Sequence, residues 1–339
     1  MMTFDEFKEW SKDHIKDYLP EGLSGAEVRV HRITKPGLSY DSLTVRDHSN
    51  TAVPAVNLDE MYSRYLSGYS LQEVGEAMAI TAQIDTPNVD MNVFNDYDEA
   101  RKRLFLRVNN AAANRELLSK VPHEMHGDMA VTYHISLGQE GGALTSTIIN
   151  YDLLNALGIP EDQLRKDAHE NSKTIMPARV ESLPGMIGMG DETPGKDLLV
   201  LTNDMRINGA SALFYPDVMD TIGDRIGSFY VCPSSIHEMI IVPESASNAR
   251  DLGKILHSVN ESFVRPEEKL SDTVYHFDAQ NHQFEIAESY ELRKEKELRN
   301  DFDSDFENTQ KYRIDLNNNS YGSDGIELNL KASAPKFRM

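Results

Sequence analysis

The densest group of chemistry-bearing side chains is Pro122-His123-Glu124-Met125-His126-Gly127-Asp128, with His134 on the strand expected to follow. Imidazole and carboxylate suit zinc, iron or manganese, so His123, His126, Asp128 and His134 form a candidate metal set. The two histidines are not four apart, and Pro122 and Gly127 disfavour a helix, so this is not a zinc-protease motif. The competing reading is a polar loop at a strand end, with Asp128 bonding nearby backbone amides.

A second group, Cys232-Pro233-Ser234-Ser235-Ile236-His237-Glu238, lies between two apolar stretches. Ser235, His237 and Glu238 have the residue types of a nucleophile, its base and an orienting carboxylate, which makes them a candidate catalytic set. Such groups must converge in space, and on a strand His237 and Glu238 face opposite ways. No Gly-x-Ser-x-Gly elbow is present. The competing reading places Ser234 and Ser235 in a turn and lets His237 or Glu238 satisfy polar groups across a sheet. Cys232 reads as a small buried hydrophobe. Gly185-Met186-Ile187-Gly188-Met189-Gly190 lacks the Gly-Lys-Ser/Thr ending of a phosphate loop and reads as a plain loop. His169 falls at an expected helix end, where it complements the dipole. None of these groups identifies a cofactor.

The elements that must position these groups follow from periodicity and punctuation. Phe4, Phe7, Trp10, Ile15 and Tyr18 recur at helical spacing, and Pro20-Glu21-Gly22 ends that run. Extended stretches follow at 26–33, 42–47 and 52–57. Helices are expected at 58–67 and 70–83, the second opened by a Ser70/Glu73 capping box. Residues 85–93 read as a linker, and 97–109 as a helix whose solvated face carries Arg101-Lys102-Arg103. A helix at 112–120 precedes strands at 128–136 and 144–150. Helices at 151–157 and 160–171 follow, with Gly158 as a stop. Strands are expected at 197–202, 209–215, 228–232 and 236–242, helices at 217–226 and 248–263, and a hairpin at 273–278 and 283–287.

Two strands followed by helix thus recur at 42–83, 128–171 and 197–226, which hints at a structural repeat. The expected fold is α+β, layered, with mostly antiparallel sheets against packed helices. Residues 1–288 are expected to form a single α+β domain, with 85–110 as the place where a subdivision would fall. Residues 289–339 read as a charged, largely flexible C-terminal tail.

The 339 residues are 40% apolar, enough for a sizeable core, and carry a formal net charge of -21. Such acidity repels phosphate backbones and argues against nucleic-acid binding. No apolar run is long enough to cross a bilayer, and the start shows no signal-like segment. One cysteine rules out an internal disulfide framework, so the expected location is cytoplasmic.

Three blocks resemble a known family. They are Asn114–His123 running into Asp128–Tyr133; Tyr151-Asp152-Leu153-Leu154 through Gly158, Ala168, Asn171 and Pro177-Ala178; and Leu201-Thr202-Asn203, Gly209-Ala210, Tyr215-Pro216 and Pro233–Pro243. Together they resemble the bacterial family catalogued as domain of unknown function 5688, over roughly residues 5–265. The resemblance implies a bacterial, intracellular setting and carries over no activity, cofactor or catalytic residue. The function expected is that of a binding or regulatory protein without catalytic activity, with a protein partner engaged through the C-terminal tail. The alternative is a hydrolase, metal-dependent or based on Ser235 and His237.

Overall fold

The computed structural model describes residues 1–47, 53–84, 89–140, 143–183, 198–297 and 299. The Gly185–Gly190 segment and the tail from residue 301 lie outside the described residues.

Helix α1 (Phe4–His14) starts at a capping box in which Thr3 and Glu6 satisfy each other's backbone amides. Strands β1 (Glu27–Lys35) and β2 (Leu38–Arg46) form a hairpin whose turn has Gly37 at φ +73°. Strand β3 (Ala55–Asn57) pairs with β2. Helix α2 (Leu58–Leu66) and helix α3 (Leu71–Ala82) then close this layer, and the Ser70/Glu73 box legible in the sequence opens α3. Phe7, Ile15, Leu43, Val56, Met61 and Met78 fill the core between them.

The next segment departs from its local signals. Helix α4 (Tyr97–Arg101) is short, and residues 104–110 form strand β4 (Leu104–Asn110) instead of continuing the expected helix. The alternation Leu104, Leu106, Val108 finds its partner in a distant strand, and that pairing overrides the helical propensity of the preceding residues. After helix α5 (Arg115–Leu118) come strands β5 (His123–His126), β6 (Met129–Glu140) and β7 (Ala143–Ile148). β6 pairs with β4 along one edge, and with β5 and then β7 along the other. Helix α6 (Tyr151–Leu157) ends at Gly158 in the left-handed region, and helix α7 (Glu161–Ile175) follows.

A six-stranded antiparallel sheet completes this part of the chain. Its strands are β8 (Ala178–Ser182), β9 (Leu199–Asn203), β10 (Phe229–Cys232), β11 (Met239–Pro243), β12 (Tyr275–Asp278) and β13 (Gln283–Ile286). They lie in the order β13-β12-β10-β11-β9-β8. Helix α8 (Val218–Ile226) and helix α9 (Ala249–Ser262) are inserted between strands. Gly209–Phe214, expected as part of a strand, is a buried 3-10 turn. A Cβ at Gly209 would sit 2.2 Å from Thr202 Oγ1 and 2.6 Å from His237 O, so only glycine lets the chain turn there. The strand–strand–helix pattern therefore holds at 42–83 and 128–171, whereas the third instance has this turn in place of its second strand.

One core joins the β4–β7 sheet to the six-stranded sheet through Leu106, Val131, Tyr133, Leu201, Leu213 and Ile241. The fold is α+β, built on antiparallel sheets. The chain divides into two units, Met1–Glu288 and Ser289–Met339, and the strands among the described residues belong to the first.

Candidate functional site

Side chains alternate across the β4–β7 sheet, so its two faces carry different chemistry. Val108, Val131, Tyr133, Glu124 and His126 share one face, by the register Val108↔Val131, Glu124↔Val131 and His126↔Met129. Arg107, Thr132, His123 and His134 share the other, by Arg107↔Thr132 and His123↔Thr132.

On the first face, Glu124 Oε1 lies 2.8 Å from His169 Nε2 of α7 and accepts a 2.6 Å hydrogen bond from Tyr133 Oη. His169 Nδ1 lies 2.8 Å from the Phe214 carbonyl. A carbonyl and a carboxylate thus hold the ring from both of its nitrogens. Burial pushes the Glu124 carboxyl up. Hydrogen bonds from His169 and Tyr133, with the charges of His169 and Arg165, outweigh it and bring the pKa to about 2. His126 lies against Phe214 with the rings tilted and their centroids 4.5 Å apart, and burial holds its imidazole below the ordinary value. His169 is therefore an interior residue of a helix that runs on to Ile175, tied to a carboxylate rather than serving at the helix end.

Asp128 is held by another set of partners. Its carboxylate accepts from Tyr275 Oη at 2.6 Å, Ser271 Oγ at 2.8 Å and Thr273 Oγ1 at 3.1 Å, and its own amide donates to Tyr275 Oη at 3.0 Å. Gly127 makes this possible. Its φ is +63°, and a Cβ there would sit 2.3 Å from Tyr275 Oη. The Asp128 carboxylate thus fastens the β5–β6 turn to the strand pair beyond it, and its partners come from far along the chain rather than from nearby amides.

The opposite face opens into a cleft of about 1170 Å³. Its walls include Arg107 and His134 of the sheet, Thr145–Ile148 of β7, the β1–β2 turn at Lys35–Leu38, and His237 with Glu267 and Glu268. The hairpin tip is anchored there by Gly37, whose amide donates to Asn114 Oδ1 at 2.7 Å, and a Cβ at Gly37 would meet the Glu267 carbonyl at 3.0 Å. Arg107 Nη2 donates to Ser146 Oγ at 2.9 Å, and its guanidinium lies 5.5 Å from the Phe105 ring centroid. Burial pulls that guanidinium below its ordinary value, and no carboxylate among the described residues offsets the effect. His134 Nε2 lies 3.1 Å from Thr132 Oγ1; burial, then the Arg107 charge, hold its imidazole well below the ordinary value and neutral.

His237 is positioned by backbone. The Asn208 amide donates to its Nδ1 at 3.2 Å, which leaves Nε2 as the N–H facing Glu268 Oε1 at 3.2 Å. Ser235 Oγ accepts from the His237 amide at 3.1 Å, and no hydrogen bond among the described residues joins it to either ring nitrogen. The carboxylate beside His237 is Glu268, not Glu238, and Arg265 also pairs with it. Burial pushes the Cys232 thiol up to about 12, so it stays protonated.

The structure thus brings His134 and His237 into one cleft but distributes the rest. His123 shares the His134 face and bonds the Val121 carbonyl at 2.9 Å, His126 faces the other way, and Asp128 is engaged by hydroxyls. Among the described residues no group of three or more His, Cys, Asp or Glu is placed to hold a metal ion. Sequence reasoning passed over Arg107 and Glu268, and placed Glu124 in the histidine-rich group without giving it a role of its own. Arg107 sat in the expected helix; Glu268 lies 31 residues from its histidine and Glu124 45 from its own.

The chain belongs to the family of unknown function DUF5688, whose model matches residues 4–279. No curated protein and no solved structure matches the chain. Among the described residues no helix is long and apolar enough to cross a membrane.

Proposed function

We propose that this member of the DUF5688 family is a binding or regulatory protein without catalytic activity, and that the cleft beside Arg107 is its recognition site. The observation that carries the reading is the use to which His237 is put. A Ser–His nucleophile needs a free imidazole nitrogen against the hydroxyl. Here one nitrogen accepts from a backbone amide and the other faces Glu268, while Ser235 Oγ is turned to the backbone. The cleft itself is of a size that holds small ligands. Its setting, on this reading, is the bacterial cytoplasm, consistent with one buried cysteine and an acidic composition. A protein partner engaged through residues 289–339 belongs to the same proposal, and nucleic acid is disfavoured by charge.

The test is a panel of chromogenic carboxylic esters, phosphoesters and peptide anilides, run with elemental mass spectrometry of the purified protein. The expected result is turnover no faster than buffer and no stoichiometric metal. Turnover lost in both Ser235→Ala and His237→Gln would establish the hydrolase instead. Zinc, manganese or iron that disappears in a His123→Ala, His126→Ala double variant would make the protein a metalloenzyme candidate and call for a wider hydrolase screen. The hydrolase alternative draws its support from His134 and His237 lining one cleft.

A further inference from the structure

The cleft carries an imbalance of charge. Its two carboxylates, Glu267 and Glu268, both pair with Arg265, and Glu268 also faces His237. Its two lining cations have no such partner among the described residues. Lys35 lies over the Tyr40 ring at 5.8 Å, and Arg107 is held only by Ser146 Oγ and the Phe105 ring. Arg107 Nε is buried and without a hydrogen-bond partner. Counting Arg265, three cations therefore meet two carboxylates, in a chain whose formal net charge is -21.

A guanidinium withdrawn from water without a counter-charge is costly, and packing it against an aromatic ring and a hydroxyl recovers only part of that cost. The fold nevertheless fixes Arg107 there, on the β4–β6 ladder rather than on a loop. An anion entering the cleft supplies what is missing. The planar fork of arginine matches carboxylate and phosphate groups. The lining then decides between an inorganic anion and an organic one, because Ile33, Leu38, Leu144, Ile148 and Ile236 give the cleft an apolar wall.

We infer that the cleft binds a small organic acid, its carboxylate at Arg107 and its apolar body against Leu144, Ile148 and Ile236. This rests on the reading of the chain as a binding protein, and it names the ligand class. Lys35, at the exposed rim, adds attraction for the same charge.

Isothermal titration of the full chain with acetate, butyrate, hexanoate and octanoate tests it, with inorganic phosphate and octylamine as comparators. Affinity is expected to rise by about threefold to fourfold per methylene along the series. Octylamine is expected not to bind. Arg107→Met is expected to weaken octanoate binding by about tenfold or more, with Arg107→Lys between it and the wild type. Both variants keep the wild-type circular dichroism spectrum. The inference is overturned if octanoate does not bind, if phosphate binds as tightly, or if Arg107→Met binds octanoate unchanged. It is also overturned if both variants lose the folded spectrum, since Arg107 is then structural. Monomethyl adipate separates this inference from the reading beneath it. Bound and unchanged by NMR, it supports both. If it is bound and converted with water to adipate and methanol, the site stands and the non-catalytic reading falls. If no acid binds while the chromogenic panel stays inert, the ligand class falls and that reading is untouched.

Discussion

The two faces of the β4–β7 sheet are made by the same strands and the same alternation, yet they handle buried charge in opposite ways. Facing α7, Glu124 is surrounded by Tyr133, His169 and Arg165, and His169 by a carboxylate and a carbonyl. Facing the cleft, Arg107 has a hydroxyl, a ring and no carboxylate among the described residues. Buried ionised groups are ordinarily paired because an unpaired one costs several kcal/mol. His126 Nε2 and Arg165 Nε on the first face also lack hydrogen-bond partners, so the difference lies in charge. The Glu124 carboxylate is paired and has little left to offer a ligand, whereas the Arg107 guanidinium has no counter-charge among the described residues. Polar residues of similar type can thus be structural on one side of a sheet and poised for recognition on the other.

The contrast breaks if the paired face proves dispensable. Glu124→Ala leaves His169 Nε2 and the Tyr133 hydroxyl without their partner in a half-buried site, so the expected loss is about 3 kcal/mol. Urea unfolding followed by circular dichroism reads it. A loss below about 0.5 kcal/mol, the range of ordinary surface changes, would mean that the cluster holds nothing together.

The same carboxylate sets a pH signature. Its folded pKa is depressed from 4.5 to about 2, so the stability it contributes is fully present above the unfolded value and disappears as pH falls through that window. By the relation of about 1.4 kcal/mol per unit, the amount is at most on the order of 3 kcal/mol, and solvent screening at this half-buried site reduces it. Wild type and Glu124→Gln should therefore differ most above pH 4.5 and converge as pH falls towards 2. Parallel stability curves from pH 6 to 2 would show that the ion pair has been misassigned.

A smaller effect belongs to the turn that joins the faces. Tyr275→Phe removes the hydroxyl that bonds Asp128 at 2.6 Å and accepts from its amide at 3.0 Å, leaving Ser271 and Thr273 in place. The expected cost is about 1–2 kcal/mol, that of one or two unmade hydrogen bonds at a part-buried site. An unchanged unfolding midpoint would mean that Asp128 is satisfied without the phenol and is free for another role.

How much of this was legible depended on the distance over which each feature is decided. The Ser70/Glu73 box, the stop at Gly158 and the last hairpin are local, and each reads directly from a few residues. The strand at Leu104–Asn110 is not local, because its alternation is short and Arg101-Lys102-Arg103 before it favours helix. Its identity is settled by pairing with Met129–Ile135. Arg107 was hidden by that error, since on a helix it joins a solvated stripe and on the strand it turns into the cleft. The histidine-rich motifs misled for a related reason. His123 and His126 are neighbours in sequence, but the pleat sends them apart, while the partners that matter, Glu124 with His169 and His237 with Glu268, are joined only by the fold.

The sharpest form of the comparison is the smallest expected change in stability. Arg107→Met keeps most of the side-chain volume, removes the charge and leaves Ser146 Oγ in a part-open site able to bond water. The lost hydrogen bond and ring contact cost about 1–2 kcal/mol. Relief of an uncompensated buried cation returns a similar amount. The net is expected within about 1 kcal/mol of zero, against about 3 kcal/mol for Glu124→Ala. Chemical unfolding of the two variants side by side reads the difference. If Arg107→Met costs as much as Glu124→Ala, the guanidinium has a structural counter-charge after all, and the two faces are alike. If it costs nothing, the protein maintains a buried charge that its own fold does not need, which is what a residue kept for a ligand looks like.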